Sequence, residues 1–147
     1  VRQARAALRE FDRLPVSVMA ISANMDEDVV RLLARDVAEE QIIVAPRAFL
    51  YRLFAGVNAR KVAMREQCPY QPCFTRTALR ASGSSGLLWG VVIDDVEGAR
   101  DGRYGPLFQS MLAVPEQYPE YSRIPTLGST LVLKFRPTSA DPAGQTP

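Results

Sequence analysis

A capped amphipathic helix followed by a β-branched run is the feature that most constrains the fold of this chain. Asn24 and Glu27 have the spacing of a capping box, and three consecutive acids suit the positive end of the helix dipole. Apolar residues then recur at helical spacing, and residues 41–45 (QIIVA) are typical of a buried strand. With the apolar run at residues 16–21 (VSVMAI) before the helix, the pattern predicts a parallel strand–helix–strand unit.

The remaining apolar patterns predict further helices and strands. We predict helices over residues 2–11 and 46–56, optional short helices over 58–66 and 106–113, and strands over 74–81, 87–93 and 130–135, the first two of these strands forming a hairpin. This order predicts an α+β domain over residues 1–136, with three to four helices and a mixed, mostly antiparallel sheet of about five strands, covered mainly on one face. Residues 137–147 contain three prolines and no large apolar side chain, which predicts a disordered tail.

Composition limits the class of protein. The 147 residues are 47% hydrophobic and 23% charged, which excludes a wholly disordered chain. No apolar run approaches the roughly 20 residues of a membrane-spanning helix, so we expect no membrane span. The charged residues 2–13 lack the apolar segment of a signal peptide, which favours a cytoplasmic location. A signal peptide already removed before Val1 stays an alternative.

Charge is unevenly distributed along the chain. An acidic segment (residues 24–40) has six acids and two arginines, whereas a basic segment (residues 47–80) has seven bases and one acid. This asymmetry indicates an anionic partner, either nucleic acid or an acidic protein surface, for the basic segment. In a second interpretation the two segments neutralise one another inside the protein.

The leading functional interpretation is a non-catalytic binding or assembly module that needs no cofactor. Its contact residues come from the basic segment: Arg47, Arg52, Asn58, Arg60, Lys61 and Arg65. A different interpretation is a structural subunit that buries a strand edge in a homo-oligomer.

Histidine is absent from the chain, which removes Ser-His and Cys-His nucleophile pairs and histidine metal ligands. Cys68 and Cys73 are either plain thiols or a disulfide across a short loop. Catalysis by Cys68 beside cationic side chains is the least favoured alternative. A zinc site would need two further soft ligands, which the sequence does not supply.

An acidic cluster follows the predicted strand at residues 87–93. Asp94, Asp95 and Glu97 would lie at the end of that strand, where carboxylates can bind Mg²⁺. They offer the alternative function, a magnesium-dependent enzyme acting on a phosphate-containing substrate. The favoured interpretation of this stretch is a polar turn, because aspartate and glycine are the residues that turns prefer.

Overall fold

The structure, a computed structural model, describes residues 25–62 and 74–137. Its elements in chain order are α1 (Glu27–Asp36), β1 (Ile42–Ala45), α2 (Ala48–Ala55), β2 (Asn58–Lys61), α3 (Arg76–Ser84), β3 (Leu88–Ile93), α4 (Val96–Arg100), α5 (Pro106–Ala113), a short 3₁₀ helix (Pro115–Gln117), β4 (Tyr121–Ile124) and β5 (Leu131–Phe135). The helix predicted over residues 2–11, the strand predicted over 16–21 and the tail beyond Pro137 lie outside the described residues.

The five strands form one mixed sheet in the order β2-β1-β3-β5-β4. β1 pairs in parallel with β2 and with β3, whereas β5 pairs antiparallel with β3 and with β4. The predicted α+β class and mixed five-stranded sheet are confirmed. Because the three parallel strands are neighbours, the sheet has a parallel half and an antiparallel half.

Both faces of the sheet are covered, so the prediction of cover mainly on one face is wrong. α1 and α2 pack on one face, where Leu33 and Phe54 join a core with Ile43 of β1. α3, α4 and α5 pack on the other face, where Leu79 and Phe108 meet the alternate side chains of β3 and β5. Every residue of β3 is consequently buried, as expected for a strand between two helical layers.

Six described elements agree with their sequence patterns: α1, β1, α2, β3, α5 and β5. The sequence patterns that predict these six elements lie within the elements or directly beside them. α2, for example, ends at Gly56, which has a φ of 69° that an L side chain rarely adopts. In the described residues no helix is long and apolar enough to cross a bilayer.

Two predicted elements have the wrong secondary structure. Residues 58–61, predicted as the start of a basic helix, form strand β2, because their backbone pairs with β1. Residues 76–84 form helix α3, where a strand and a flexible turn were predicted. The Thr75 hydroxyl caps this helix by accepting a hydrogen bond from the Ala78 amide at 3.1 Å. The helix runs through Gly83. A Cβ at this position would collide with the ring of Phe135, so glycine allows α3 to pack closely against that ring.

The hairpin prediction is also wrong, since β3 pairs with β1 and β5. The segment after β3, predicted as a polar turn, contains α4. Residues 114–125, for which the sequence predicted neither helix nor strand, contain the 3₁₀ helix and β4. β4 was missed because its apolar residues are few and prolines flank it, whereas its pairing with β5 is decided by tertiary contacts.

Candidate functional site

The carboxyl-terminal ends of β2, β1 and β3 lie at one edge of the sheet, because these neighbouring strands are parallel. From β1 the chain passes through α2 to β2, on the face that carries α1. From β3 it passes through α4 and α5, on the opposite face, toward the antiparallel strands. Ligands of open α/β sheets bind where successive connections diverge in this way. The residues that follow β1 and β3 are therefore the first candidates for a functional site.

A buried ion pair joins the ends of β1 and β3. Arg47 Nε donates a hydrogen bond to Asp94 Oδ2 at 3.1 Å. The Asp94 side chain is 0% exposed, and the Arg47 side chain is 36% exposed. The Tyr51 hydroxyl donates a further hydrogen bond to Asp94. Because Arg47 is the residue immediately before α2 and Tyr51 lies within it, this network fixes the start of α2 to the end of β3.

The electrostatics of this network follow from burial. Burial raises the pKa of the Asp94 carboxyl, and the opposing effects of Arg47 and Tyr51 offset only part of that rise. Burial raises the pKa of Tyr51 as well, and the charge of Asp94 raises it further. Tyr51 therefore remains protonated near neutral pH and serves as a donor. Arg47, a predicted binding residue, is already engaged inside the protein.

A shallow groove of about 360 Å³ lies between α2 and β2. It is lined by Ala48, Phe49, Arg52, Ala59, Arg60 and Lys61, and we name it the Phe49 groove. Phe49 and Arg52 are three residues apart and so share one side of α2. Arg60 and Lys61 end β2, the last strand of the sheet on this side. The groove thus brings together three of the predicted binding residues with a phenylalanine that is 65% exposed.

The three cations of the Phe49 groove are exposed, and no carboxylate of the described residues forms a salt bridge with them. The acids at the start of α1 have other partners. Asp28 accepts a hydrogen bond from the Leu127 amide at 2.7 Å, and Asp26 accepts one from the Thr130 amide at 3.1 Å. Within the described parts of the chain, the acidic segment therefore does not neutralise this groove.

Arg76, from the same basic segment, has a carboxylate partner. Its Nε and Nη2 atoms each donate to the Glu120 carboxylate at 2.7 Å, and Nη2 also donates to the Gln117 carbonyl at 2.9 Å. The guanidinium lies 4.4 Å from the centre of the Tyr118 ring. Burial alone would raise the pKa of Glu120, but the hydrogen bonds and the charges of Arg76 and Arg80 lower it by more. This part of the basic segment holds α3 to the loop before β4.

Asn58, Arg65 and the two cysteines do not join the Phe49 groove. The Asn58 amide donates to the Glu39 carbonyl at 3.1 Å, which ties β2 to the loop before β1. Arg65, Cys68 and Cys73 lie outside the described residues, so their predicted roles stay predictions.

The three predicted magnesium ligands serve different purposes. Asp94 is turned inward to Arg47, whereas Asp95 caps α4 by accepting from the Gly98 amide at 3.1 Å. Asp95 also accepts hydrogen bonds from Arg103 and Tyr104, and Glu97 is exposed. Among the described residues, no group of three or more acids, cysteines or histidines is placed to hold a metal ion. The described geometry therefore does not bring Asp94, Asp95 and Glu97 together.

The hydrogen bond from Tyr104 lowers the pKa of Asp95. Burial, with that same bond, raises the pKa of Tyr104 to about 12. Asp95 is thus an ionised helix cap near neutral pH, which is a structural role in the turn that precedes α5.

Sequence reasoning identified neither Phe49 nor Tyr51 as a residue of this edge. Phe49 is exposed, and Tyr51 is buried at 1% exposure. Ala48, Tyr51, Phe54 and Ala55 form the buried face. Their three- and four-residue spacing is helical, so a count that included Tyr51 and the alanines would have identified the correct side.

Comparison of the chain with protein-family models, with curated proteins and with solved structures finds no match.

Proposed function

We propose that this chain is a non-catalytic binding module that holds single-stranded nucleic acid in the Phe49 groove. The observation that supports the proposal is an exposed phenylalanine beside three cations that lack carboxylate partners in the described residues. Proteins bind single strands by placing positive side chains near phosphates and by stacking bases on aromatic rings. Phe49 supplies the ring, and Arg52, Arg60 and Lys61 supply the charges.

The exposed ring favours nucleic acid over an acidic protein surface. Either partner is attracted by the cations, but exposed ion pairs contribute only about 0–1 kcal/mol each. An unpaired base also offers a π-face, and stacking on an aromatic side chain contributes about 1–3 kcal/mol per base. Phe49 is the feature of the groove that an acidic peptide would not use.

The network of Arg47, Tyr51 and Asp94 supports the same function. These residues fix the first turn of α2, and that turn carries Phe49. A helix turn held in place before binding loses less conformational entropy when the ligand arrives. The network therefore has a positioning role, while Phe49, Arg52, Arg60 and Lys61 make the contacts.

A titration of the wild-type full chain and two variants tests the proposal. The probe is a fluorescein-labelled oligothymidylate about 12 nucleotides long, followed by anisotropy at low salt. Replacing Arg52, Arg60 and Lys61 together by alanine is expected to weaken binding at least tenfold. A matched variant replaces the exposed Arg31, Arg35 and Arg136 by alanine, which removes the same charge elsewhere, and we expect a change of about twofold or less.

Two outcomes would overturn the proposal. Equal losses in the two triple variants, with circular dichroism showing both folded, would mean that net charge attracts the probe and the groove does not hold it. Poly-L-glutamate that displaces the oligothymidylate as effectively as unlabelled oligothymidylate, charge for charge, would identify an acidic protein surface as the partner.

A further inference from the structure

A cavity of about 220 Å³ lies far along the sheet from the Phe49 groove and on its opposite face. The side chains that line it come from α4, α5, the 3₁₀ helix, β4 and β5. Neither the proposed nucleic-acid site nor the Arg47–Asp94 network uses any of its residues. The cavity therefore raises a separate question of what it holds.

The floor of the cavity is apolar. Met111, Leu131 and Leu133 line it and are buried at 2%, 7% and 5% exposure. An aliphatic cavity of about 150 Å³ in another protein stays dry and accepts benzene, so a cavity of this size and lining suits one six-membered ring with a small substituent. The floor therefore sets both the size and the apolar character of an occupant.

One buried polar group of the lining lacks a partner. The Tyr121 hydroxyl is buried and makes no hydrogen bond within the described parts of the chain. Its ring is held edge-on against Phe135, with the ring centres 5.6 Å apart. Burial raises the pKa of this hydroxyl, which therefore remains a protonated donor. Because this oxygen is closed off even from water, it lies within the cavity wall, and an occupant of the cavity does not reach it.

Two cations also line this cavity. Arg100 extends from α4 and Arg123 from β4, and both are exposed. In the described residues neither forms a salt bridge with a carboxylate. A guanidinium group presents paired N–H donors that match the two oxygens of a carboxylate. The two guanidinium groups therefore favour an occupant that carries a carboxylate.

We propose that this cavity binds a small carboxylate whose apolar body is about the size of one six-membered ring. The ring lies on Met111, Leu131 and Leu133, and the carboxylate accepts hydrogen bonds from Arg100 and Arg123. This site is independent of the Phe49 groove, because the two share no residue and lie on opposite faces of the sheet.

Benzoate, with benzamide as its neutral isostere, tests the proposal on the full chain. Methyl and amide NMR spectra are expected to shift at Met111, Leu131 and Leu133 on addition of benzoate, with a Kd of about 1 mM or tighter. Benzamide is expected to bind at least tenfold more weakly because it carries no charge for the arginines. Arg123→Ala is expected to weaken benzoate binding about tenfold, whereas Arg136→Ala, an exposed control, leaves it unchanged.

Tyr121→Phe tests the wall of the cavity separately from the two arginines. Because the hydroxyl has no partner in the described residues and is closed off from the cavity, its removal is expected to leave both the melting temperature and benzoate binding unchanged. Three results would overturn the proposal: no shift of the cavity methyls at about 10 mM benzoate, equal binding of benzamide, or unchanged benzoate binding by Arg123→Ala.

Discussion

The cations of α2 and β2 and the cation of α3 belong to one basic segment but have different surroundings. Arg52, Arg60 and Lys61 line the Phe49 groove and have no carboxylate partner in the described residues. Arg76 is held by both oxygens of Glu120, a residue that is 3% exposed, and is stacked on Tyr118. The positive side chains of this segment therefore lie in two different settings: some line an exposed groove, and one forms a salt bridge that holds parts of the fold together.

The difference teaches that charge density along a sequence does not define a surface. A cation with a buried acid and an aromatic ring contributes to the stability of the fold, because separating the pair would leave a desolvated charge. A cation at an exposed groove contributes little to stability and remains able to meet an anion. We therefore expect mutations in the α3 region to change stability alone and mutations in the Phe49 groove to change binding alone.

Glu120→Gln is expected to have the largest effect on stability. It removes the charge that holds Arg76, and we expect a loss of about 3 kcal/mol in the free energy of unfolding, the low end for a broken buried pair because Arg76 is 38% exposed. Urea denaturation measures this loss. Oligothymidylate affinity should stay within about twofold of wild type, and a large loss of affinity in a folded variant would contradict the separation of the two regions.

The same variant is expected to change the pH dependence of stability. The pKa of Glu120 is lowered from its ordinary 4.5, so the ionised form is favoured in the folded protein. Its contribution is present above pH 4.5 and is lost as the pH falls through the folded pKa. Wild-type stability should therefore fall toward that of Glu120→Gln below pH 4.5, and a constant difference between the two would contradict this sign.

Asp94→Ala is expected to have the next largest effect on stability. The contribution of Asp94 to stability also changes with pH in the opposite direction to that of Glu120. Asp94→Ala is expected to cost about 2 kcal/mol, because it leaves the buried Tyr51 hydroxyl and Arg47 without their acceptor. Asp94→Asn keeps an acceptor oxygen and should cost less. The pKa of Asp94 is raised, so its contribution to stability is present below pH 3.8 and is lost as the pH rises through the folded pKa.

Denaturation of wild type and Asp94→Asn across this pH range measures that loss. The advantage of wild type over Asp94→Asn should shrink as the pH rises. If the stability of wild type relative to Asp94→Asn instead grew with pH, Arg47 would compensate the buried charge of Asp94 fully. The folded protein would then favour ionised Asp94, as it favours ionised Glu120.

Phe49→Ala is expected to have a smaller effect, confined to binding. Loss of one stacked base corresponds to about 1.5 kcal/mol, or roughly tenfold in oligothymidylate affinity. Because the ring is 65% exposed, the melting temperature should barely change. Phe49→Trp, which keeps an aromatic surface, is the matched control and should bind as well as wild type. Unchanged affinity in Phe49→Ala would remove the stacking argument.

Arg31→Ala is expected to have the smallest effect. Arg31 is an exposed cation of α1 whose Nη2 lies 3.7 Å from Glu27 Oε2. Such a pair contributes less than about 0.5 kcal/mol, and this cation lines neither the Phe49 groove nor the cavity. Urea denaturation and the oligothymidylate titration should both match wild type. A tenfold loss of affinity here would show that long-range charge, and not the Phe49 groove, attracts the probe.

The sequence predicted correctly those helices and strands that are determined by residues within or next to them. The acidic first turn of α1, the left-handed Gly56 after α2 and the apolar run of β3 are all visible in the sequence. β2 and α3 were mispredicted because distant partners decide them: β2 is a strand through its pairing with β1, and α3 runs through Gly83 beneath Phe135.

The candidate site shows the same division. Arg52, Arg60 and Lys61 were proposed from charge alone, and they line one groove. The partners of Arg47 and Arg76 could not be predicted, since Asp94 and Glu120 lie 47 and 44 positions away and the fold alone brings them together. No local pattern encodes a contact of that kind.

The salt dependence of oligothymidylate binding tests most directly whether three groove cations meet phosphates. Each phosphate neutralised on a single strand contributes about −0.7 to the slope of log affinity against log salt concentration. Removing Arg52, Arg60 and Lys61 together should therefore make the slope shallower by about 2, while the Arg31, Arg35 and Arg136 variant keeps the wild-type slope. Identical slopes in all three proteins would contradict a phosphate contact in the Phe49 groove.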